Sequence, residues 1–437
     1  MTPGARIQTS IDLVRQADES SMPFDFIVNG FFRGKRYVGS KDRRFISERV
    51  FGIQRRKSRL DWWIDRTITQ DLSGEKRARA RLIADLVLLD KETRDGIIGL
   101  FNGTRHCPAE LDENELRLSN ALQGYALDHP DMQQWTGLEY PEWLHDSFYE
   151  IWGNDLSRQM NALNDSASLD LRVNSLKSNR SSVLRILQSQ GIEAEQTALS
   201  PYGLRVHRRL RLGGMAPYKD GHIEVQDEGS QVVSLLSDVK PGMTVIDYCA
   251  GGGGKTLAIG AEMKNKGTLY ACDISSKRLG RLDSRIKRAG LKGVTVVDLS
   301  SHESGNRLPN QADRILLDVP CSGTGTWRRN PDAKWRLDSD MLTRHTERQA
   351  NLLDQAAPMV KPGGRMIYIT CSVLPQENER QIEGFLSRSQ DYTVRPIAGI
   401  WNDLIDAPCP TNEDFLRLTP ADHKTDGFFC AVLERTA

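Results

Sequence analysis

Two short apolar runs in the C-terminal half of the chain each lead into a cysteine that is followed by a serine. The first run, Ile315–Val319, precedes Pro320-Cys321-Ser322, and the second, Met366–Ile369, precedes Thr370-Cys371-Ser372. Runs of this kind are typical of buried parallel strands. Open α/β sheets bind their ligands at the carboxyl ends of such strands. We therefore expect the two thiols to lie together at one edge of a sheet, one acting covalently and the other assisting.

Strands and helices alternate from about Gly221 to the end of the chain, which is typical of a doubly wound sheet. Three further strand candidates precede the cysteine-bearing pair, namely Thr244–Asp247, Thr268–Asp273 and Val294–Asp298. Each of them ends in an aspartate. The sequence therefore predicts an α/β fold with a doubly wound, Rossmann-like domain over residues 221–437.

Residues 1–138 carry a helical pattern. Apolar residues recur at three- and four-residue spacing in Arg6–Asp18 and in Arg77–Leu89, which predicts two helices. The densest basic stretch of the chain, from Lys41 to Arg59, is interrupted by apolar residues at helical spacing. Two interpretations stay open for this stretch: a solvated helix face, or a surface that contacts RNA phosphates. We expect an all-helical, RNA-binding domain here.

Residues 139–220 are predicted to form a smaller α/β unit. Its parts are a linker at Pro141–Leu144, a strand at Leu171–Asn174, a helix at Arg180–Ser189 that stops at Gly191, and a strand at Leu204–Leu212. The last strand alternates apolar and basic residues, so we expect it to be half exposed with a cationic face. Such a unit suits contact with an RNA backbone, because it lacks the aromatic pair of base-stacking sheets.

The composition limits the class of protein. A chain of 437 residues is long enough for two or three domains. There is no run of about 18 apolar residues and no apolar signal core at the first residues, so we expect a cytoplasmic protein without membrane spans. Seven cysteines without a CxxC spacing fit a reducing compartment and argue against a structural metal site. Without heptads or a long apolar edge, a monomer is expected.

A glycine-rich turn follows the strand Thr244–Asp247 and leads into a helix predicted from Leu257. The turn consists of Cys249, Ala250, Gly251, Gly252, Gly253, Gly254 and Lys255. Glycines at such a turn let a ligand approach the backbone and the helix N-terminus. A phosphate-binding loop is excluded because Cys249 stands where that loop requires glycine. A dinucleotide fingerprint fits poorly because Thr256 replaces its third glycine, and this disfavours a dehydrogenase.

Two aspartates at strand ends point to a nucleoside ligand. Asp273 lies about twenty residues after the glycines, where a carboxylate can accept both ribose hydroxyls. Asp298 ends the next strand and is placed to meet an adenine edge. The alternative for each is an ordinary acid in a surface turn. A glycine loop with two such acids suits a nucleoside without phosphates, of which S-adenosylmethionine is the common example.

The two thiols and a neighbouring carboxylate suit methylation of a cytosine ring. Carbon 5 of cytosine is a poor nucleophile until a thiolate adds to carbon 6, and a base must later remove the carbon 5 proton so that the thiol can leave. Asp318, three residues before Cys321, can supply a carboxyl group to the base edge. The residues alone do not rank Cys321 against Cys371. A nearly neutral chain, with a formal net charge of +1, would need a local basic patch to hold RNA.

Several segments resemble the RNA (cytosine-5-)-methyltransferases of the bacterial Sun/Fmu (RsmB-like) family. They are Gln226–Gln231, the glycine turn, Asp318–Gly325, Arg328–Asp332, Thr370–Ser372 with Glu377–Glu379 after it, and Asp426–Phe429. The resemblance covers roughly residues 140–437. The segments Lys41–Arg44 and Leu60–Trp62 are similar to the NusB-like helical domain of this family.

The resemblance implies transfer of a methyl group from S-adenosylmethionine to carbon 5 of a cytosine in RNA, with ribosomal RNA as the expected substrate. It implies Cys371 as the nucleophile and Cys321 as the thiol that assists product release. The glycine turn, Asp273, Asp298 and Asp318 would line the cofactor site, with Asp318 also facing the base, and the small α/β unit would be RRM-like. The base must leave its stack, so a single-stranded or loop cytosine is expected. The alternatives are a transfer RNA substrate or an RNA-binding ribosome assembly factor.

One residue departs from the family's glycine loop, which reads Cys-Ala-Ala/Gly-Pro-Gly-Gly-Lys-Thr. Gly252 stands at the position of the proline. An additional glycine loses more conformational entropy when the loop is ordered, so we expect a looser loop and weaker cofactor binding. For Trp327 and Trp335, both RNA stacking and packing are open interpretations. Lys255 either reaches the ligands or caps a helix turn.

Overall fold

The computed structural model describes residues 1–35, 37–208, 210–300 and 308–436. They form two compact units: residues 1–165 with 327–337, and residues 166–326 with 338–437. We call them the helical unit and the sheet unit. Within the described ranges, no helix combines the length and the apolar character that a membrane span requires. The predicted boundaries of three domains stay a prediction.

The helices and strands are numbered in chain order. The helices are α1 Pro3–Glu19, α2 Phe24–Gly34, α3 Ser40–Arg55, α4 Lys57–Thr67, α5 Gly74–Leu88, α6 Arg94–Leu100, α7 Glu113–Ala121, α8 Gln134–Gly137, α9 His145–Trp152, α10 Leu156–Asn164, α11 Arg180–Ser189, α12 Ala216–Lys219, α13 Glu228–Leu235, α14 Gly254–Glu262, α15 Ser276–Leu279, α16 Leu282–Ala289, α17 Ala333–Arg336, α18 Ser339–Ala356, α19 Glu379–Arg388, α20 Ile397–Leu404 and α21 Pro420–His423. The strands are β1 Leu169–Val173, β2 Glu195–Gln196, β3 Gly203–Val206, β4 Ile223–Val225, β5 Thr244–Asp247, β6 Thr268–Asp273, β7 Val294–Asp298, β8 Ala312–Asp318, β9 Val360–Thr370, β10 Tyr392–Val394, β11 Leu416–Leu418 and β12 Phe428–Arg435.

The N-terminal region is helical, as the apolar spacing predicts. The predicted helices Arg6–Asp18 and Arg77–Leu89 are confirmed as α1 and α5. The Thr2 hydroxyl accepts a hydrogen bond from the Ala5 amide at 3.2 Å and so caps α1. The apolar faces of α1, α3 and α5 share one core, in which Ile11, Val50 and Leu82 are fully buried.

The basic stretch Lys41–Arg59 spans α3 and the start of α4, and most of its arginines bind protein groups. Arg49 and Arg56 both bind Asp85, a fully buried carboxylate of α5, at 2.5 and 2.8 Å. Arg59 binds the buried Glu139 at 2.8 Å. The solvated-face interpretation is therefore wrong for these arginines, which bind buried carboxylates, and contact of this stretch with RNA phosphates stays a prediction. A sequence pattern shows the cations but does not show acidic partners far along the chain.

The predicted linker at Pro141–Leu144 is also wrong. Residues Glu142–Leu144 form a 3-10 turn that runs directly into α9. Leu144 and Phe148 are fully buried in the helical unit, and this burial outweighs the turn-forming tendency of Pro141.

The small sheet of the sheet unit is antiparallel, with strand order β2-β3-β1-β4. The predicted strand Leu171–Asn174 and the predicted helix Arg180–Ser189 are confirmed as β1 and α11. The predicted strand Leu204–Leu212 is wrong beyond Val206, where β3 ends; Arg209 lies outside the described residues. Its expected cationic face is also wrong at Arg205, which is buried and binds Asp170 at 2.8 Å.

The large sheet is doubly wound, as predicted. Its strand order is β10-β12-β9-β8-β5-β6-β7, with β11 paired to β12. Five neighbouring strands of this sheet are parallel to one another, in the order β7, β6, β5, β8 and β9 across the sheet. Strand β12 is antiparallel to β9. The order reverses between β5 and β8, and at such a switch point the carboxyl ends of the strands leave a crevice. The glycine turn after β5 and the Cys321 segment after β8 both leave the sheet there.

The ion pairs of Asp85 lead to a prediction about stability. Asp85→Asn should lower the free energy of unfolding by about 3–5 kcal/mol, because two largely buried arginines lose a carboxylate partner. The control is Arg44→Ala, which removes the exposed Arg44–Glu48 pair and should leave the free energy of unfolding almost unchanged, because water screens an exposed ion pair. Urea unfolding of both variants measures the difference. Equal stability of the two variants would contradict a structural role for the buried pairs.

Candidate active site

The glycine turn folds over the carboxyl ends of β5 and β6. The Gly251 amide donates to Asp273 Oδ2 at 2.9 Å, and the Gly253 amide donates to the Ala250 carbonyl at 2.8 Å. Gly251 and Gly253 have φ angles of +55° and +82°, which favour glycine. A Cβ at Gly253 would lie 2.1 Å from a methyl carbon of Leu282. The turn therefore brings exposed backbone close to the predicted ribose-binding acid.

Asp273 and Asp298 end neighbouring parallel strands and lie opposite each other in the β6–β7 register. Asp273 also accepts from the Ser275 amide at 2.7 Å and binds Arg278 at 3.2 Å. Hydrogen bonds from Ser300 lower the pKa of Asp298 below its ordinary value. The structure thus brings both predicted acids to the edge that carries the glycine turn.

Asp247, the last residue of β5, was not singled out by sequence reasoning. It is fully buried and accepts from the Thr256 hydroxyl at 2.6 Å. Burial raises the pKa of Asp247 to about 7, although this hydrogen bond lowers it. Its other oxygen, Oδ1, is buried and has no hydrogen-bond partner among the described residues. An aspartate at a strand end beside a glycine turn was visible in the sequence, but its burial was not.

Lys255 and Asp318 form an ion pair at 2.7 Å between the first turn of α14 and the end of β8. Burial lowers the pKa of Lys255, but the charges of Asp318 and of the Cys371 sulfur outweigh it, so the pKa lies above its ordinary value. The ammonium is therefore held charged beside both the carboxylate and a thiol. This arrangement shows that Lys255 does more than cap a helix turn.

The two predicted thiols lie together. Cys321 Sγ and Cys371 Sγ are 3.4 Å apart, and both cysteines are partly exposed and free. The hydrogen bond with Cys371 and burial raise the pKa of Cys321 well above its ordinary value, and the charge of Glu377 adds to this. Lys255 acts on the Cys371 side of the pair and Glu377 on the Cys321 side. The pair is therefore electrostatically asymmetric.

Glu377 is a further residue that the sequence did not single out as functional. It follows Cys371 by six residues, within the segment that carries the family resemblance. Its side chain is fully buried and binds Ser322 of the Cys321 segment and Gln349 of α18. A glutamate in a short turn carries no signal of such burial, so the structure was needed to find it.

The remaining predicted residues have simpler surroundings. Burial raises the pKa of the Cys249 thiol, so Cys249 stays protonated. Trp327 is 1% exposed and packs edge-on against Phe148 in the helical unit. Trp335 donates from its indole nitrogen to the Gln54 carbonyl at 2.9 Å. The packing interpretation therefore applies to Trp327.

Comparison with known proteins places this geometry among methyltransferases. A family model described as 16S rRNA methyltransferase RsmB/F matches residues 234–434, and one described as the ferredoxin-like domain of RsmF/B-like methyltransferases matches residues 140–212. The ribosomal RNA small subunit methyltransferase B of Escherichia coli is 31% identical over 418 residues, which cover 91% of each chain. The enzyme of the same name from Cronobacter sakazakii is 30% identical over 419 residues and covers 91% of each chain.

Two solved structures share the fold. The protein PH0851 has a TM-score of 0.77 and 28% sequence identity, and the match covers 100% of this chain and 99% of that one. A methyltransferase homologue from Pyrococcus horikoshii has a TM-score of 0.60 and 27% identity, and the match covers 70% of this chain and 100% of that one.

The glycine turn leads to a prediction about cofactor affinity. Gly252 has no positive φ and a Cβ there would meet only the end of the Arg285 side chain at 3.4 Å. Gly252→Pro should therefore stiffen the turn and lower the dissociation constant for S-adenosylmethionine about two- to fivefold, equivalent to about 0.5–1 kcal/mol. The control is Gly253→Ala, which should weaken binding because of its φ and its contact with Leu282. Isothermal titration calorimetry measures both. Unchanged or weaker binding by Gly252→Pro would contradict the loose-loop prediction.

Proposed function

Because the chain belongs to the RsmB/F family of 16S ribosomal RNA methyltransferases, we propose that it methylates carbon 5 of a cytosine in ribosomal RNA. It is an S-adenosylmethionine-dependent RNA methyltransferase. The observation that carries the finer proposal is the pair of sulfurs 3.4 Å apart, with Lys255 interacting with both the Cys371 sulfur and Asp318. A thiol pair at the carboxyl edge of a parallel sheet suits covalent catalysis on a pyrimidine ring.

The residues at the glycine turn fit S-adenosylmethionine. The turn exposes backbone at Gly252, and Asp273 accepts from the Gly251 amide. Oδ1 of Asp247 is buried and has no hydrogen-bond partner among the residues that the structure describes. We propose that residues 249–255 and Asp273 hold the nucleoside and the amino-acid part, and that Asp298 meets the adenine edge. The cofactor supplies a methyl group bonded to a sulfonium, which is reactive toward a carbon nucleophile.

We assign Cys371 as the nucleophile and Cys321 as the thiol that assists release. Lys255 supports this order because a positive charge stabilises a neighbouring thiolate, and Lys255 interacts with the Cys371 sulfur. Cys321 has a strongly raised pKa, so it holds the proton while Cys371 attacks. The family resemblance gives the same order.

The proposed reaction exchanges the proton on carbon 5 for a methyl group. The Cys371 thiolate forms a bond to carbon 6 of the ring, and the displaced electrons make carbon 5 nucleophilic, so that it takes up the methyl group. A base then removes the carbon 5 proton, the C5–C6 double bond re-forms, and the bond to Cys371 breaks. Cys321 fits the role of the base: after the attack it gives its own proton to water, its thiolate then takes the carbon 5 proton, and the thiol so formed is the starting form of Cys321. A methyl cation has replaced one proton.

We propose that Asp318 faces the cytosine edge. Its side chain is one-third exposed and is fixed by Lys255 at 2.7 Å. A carboxyl group there can hydrogen-bond the amino group and ring nitrogen as charge develops on the ring. Lys255 thus serves two residues at once: it orients Asp318 and interacts with the Cys371 sulfur.

The RNA is proposed to present an unpaired cytosine, because a stacked base could not reach both sulfurs. We propose that the helical unit and the small sheet contact the RNA backbone. The exposed Lys41 and Arg44 of α3 remain candidates for this contact. A monomer in the cytoplasm is proposed. No observation favours transfer RNA as the substrate, or an assembly role without catalysis, over ribosomal RNA methylation.

A substrate that traps the adduct tests this proposal. Ribosomal RNA transcribed with 5-fluorocytosine cannot lose the carbon 5 substituent as a proton, so the covalent adduct should persist on a denaturing gel. With S-adenosylmethionine, the wild type and Cys321→Ala should form the adduct and Cys371→Ala should not. The control Cys107→Ala removes a thiol of the helical unit and should behave as the wild type.

The opposite pattern would exchange the roles of the two thiols. If no variant forms an adduct on ribosomal RNA, transfer RNA is tested next. Absence of an adduct on both RNAs would refute covalent catalysis and leave the assembly-factor alternative.

A further inference from the structure

The serines that follow the two cysteines face each other. Ser322 Oγ and Ser372 Oγ are 3.2 Å apart, and Ser372 Oγ also lies 3.1 Å from the Thr324 hydroxyl. Thr324 accepts from the Val373 amide at 2.9 Å. The repeated Cys-Ser pair therefore has a structural explanation: the serines join the two segments that carry the sulfurs.

Glu377 fixes the Cys321 segment. Its Oε1 accepts from the Ser322 amide at 2.8 Å and from Gln349 Nε2 at 3.0 Å, and its Oε2 accepts from the Ser322 hydroxyl. Gln349 donates also to the Pro320 carbonyl at 3.0 Å. The residues on both sides of Cys321 are thus bound, directly or through Gln349, to one carboxylate.

The same turn fixes the Cys371 segment. The Asn378 side chain donates to the Ser372 carbonyl at 3.0 Å and accepts from the Thr370 hydroxyl at 2.6 Å. The Glu377 carbonyl accepts from the Tyr368 hydroxyl at 2.6 Å, which ties the turn to β9. We call Ser322, Gln349, Ser372, Glu377 and Asn378 the thiol-bracing network. It links the flanking residues of both cysteines through two consecutive side chains.

We propose that Glu377 is a positioning residue that holds the Cys321 sulfur against the Cys371 sulfur, so that Cys321 can complete product release. This inference rests on the proposed function. A buried carboxylate is costly unless its oxygens are hydrogen-bonded, and Glu377 has three donors. Two of them belong to Ser322, the residue next to Cys321. The carboxylate therefore acts on the placement of that thiol.

The charge of Glu377 supports the same role. The hydrogen bond with Cys371 and burial raise the pKa of Cys321, and Glu377 raises it further. A neighbouring anion keeps the proton on Cys321 before the attack and makes the sulfur a stronger base after it ionises. The hydrogen bonds that the structure describes for the Glu377 side chain go to Ser322 and Gln349, so Glu377 acts on Cys321 through the position of Ser322 and, more weakly, through its charge.

The test measures how much enzyme remains covalently bound to RNA that contains ordinary cytosine. Wild type, Cys321→Ala, Glu377→Ala, Glu377→Gln and Glu383→Ala are incubated with S-adenosylmethionine and unmodified 16S ribosomal RNA transcripts, and the adduct is quantified on a denaturing gel. Glu377→Ala should accumulate at least tenfold more adduct than wild type, approaching Cys321→Ala. Glu377→Gln should stay within about threefold of wild type, because the amide can still accept from the Ser322 amide and donate to its hydroxyl. Glu383, an exposed residue of α19, is the matched control and should behave as wild type.

Adduct accumulation separates positioning from general destabilisation, since a loosened fold lowers attack and release together and traps nothing. If folded Glu377→Ala loses activity without trapping RNA while Cys321→Ala traps it, the positioning role is wrong and the proposed function stands. If Cys321→Ala traps nothing, the release role of Cys321 fails, and the inference fails with it. Should Glu377→Ala not fold, the double variant Ser322→Ala, Ser372→Ala decides: trapping above wild type supports the network, and wild-type release overturns it.

Discussion

The parallel pairing of β8 with β9 is the constraint on which the candidate site depends. Asp318 lies opposite Ile369, and the Val319 amide donates to the Ile369 carbonyl at 3.1 Å as the two strands leave the sheet. The two cysteine segments therefore emerge side by side. A slip of one residue in either strand would turn its side chains to the other face of the sheet. The sulfur separation of 3.4 Å is thus a consequence of register, secured by hydrogen bonds beyond the sheet.

The charges at this edge follow from the same topology. The carboxyl ends of β5, β6 and β8 each contribute an aspartate. Lys255, in the first turn of α14, binds the aspartate at the end of β8. Because Lys255 is bound to Asp318, its ammonium stays charged although it is buried. Asp247 lies deeper and its pKa is raised to about 7, mainly by burial. One strand-end acid is therefore paired with a cation, while Asp247 can be neutral near neutral pH.

Local patterns in the sequence predict the bounds of single strands and helices, because these depend on residues that are close together in the chain. The strand patterns predict the bounds of β6 and β7, and the helix that stops at Gly191 matches α11. The two Cys-Ser pairs predict the meeting of the thiols. Long-range partners could not be predicted in this way. The sequence predicts a surface cation at Arg49, but the structure shows that Arg49 binds Asp85 on another helix. The sequence predicts Arg205 on the exposed face of a strand, but the structure shows that Arg205 is buried and binds Asp170. In both cases a buried carboxylate decides the outcome, and sequence periodicity treats such carboxylates as solvent-exposed.

The segment that follows the Cys321 loop shows that neighbours in sequence can belong to different compact units. Residues 327–337 belong to the helical unit, although the residues on both sides of them belong to the sheet unit. Asp332 accepts from the Phe24 amide at 3.0 Å. The buried Lys334 donates from Nζ to Asn164 Oδ1 at 2.8 Å. Burial lowers the pKa of Lys334 to about 7, which reflects a core position. The Arg328–Asp332 part of the family resemblance therefore marks a piece of the helical core, and the helical unit is completed by residues from the second half of the chain.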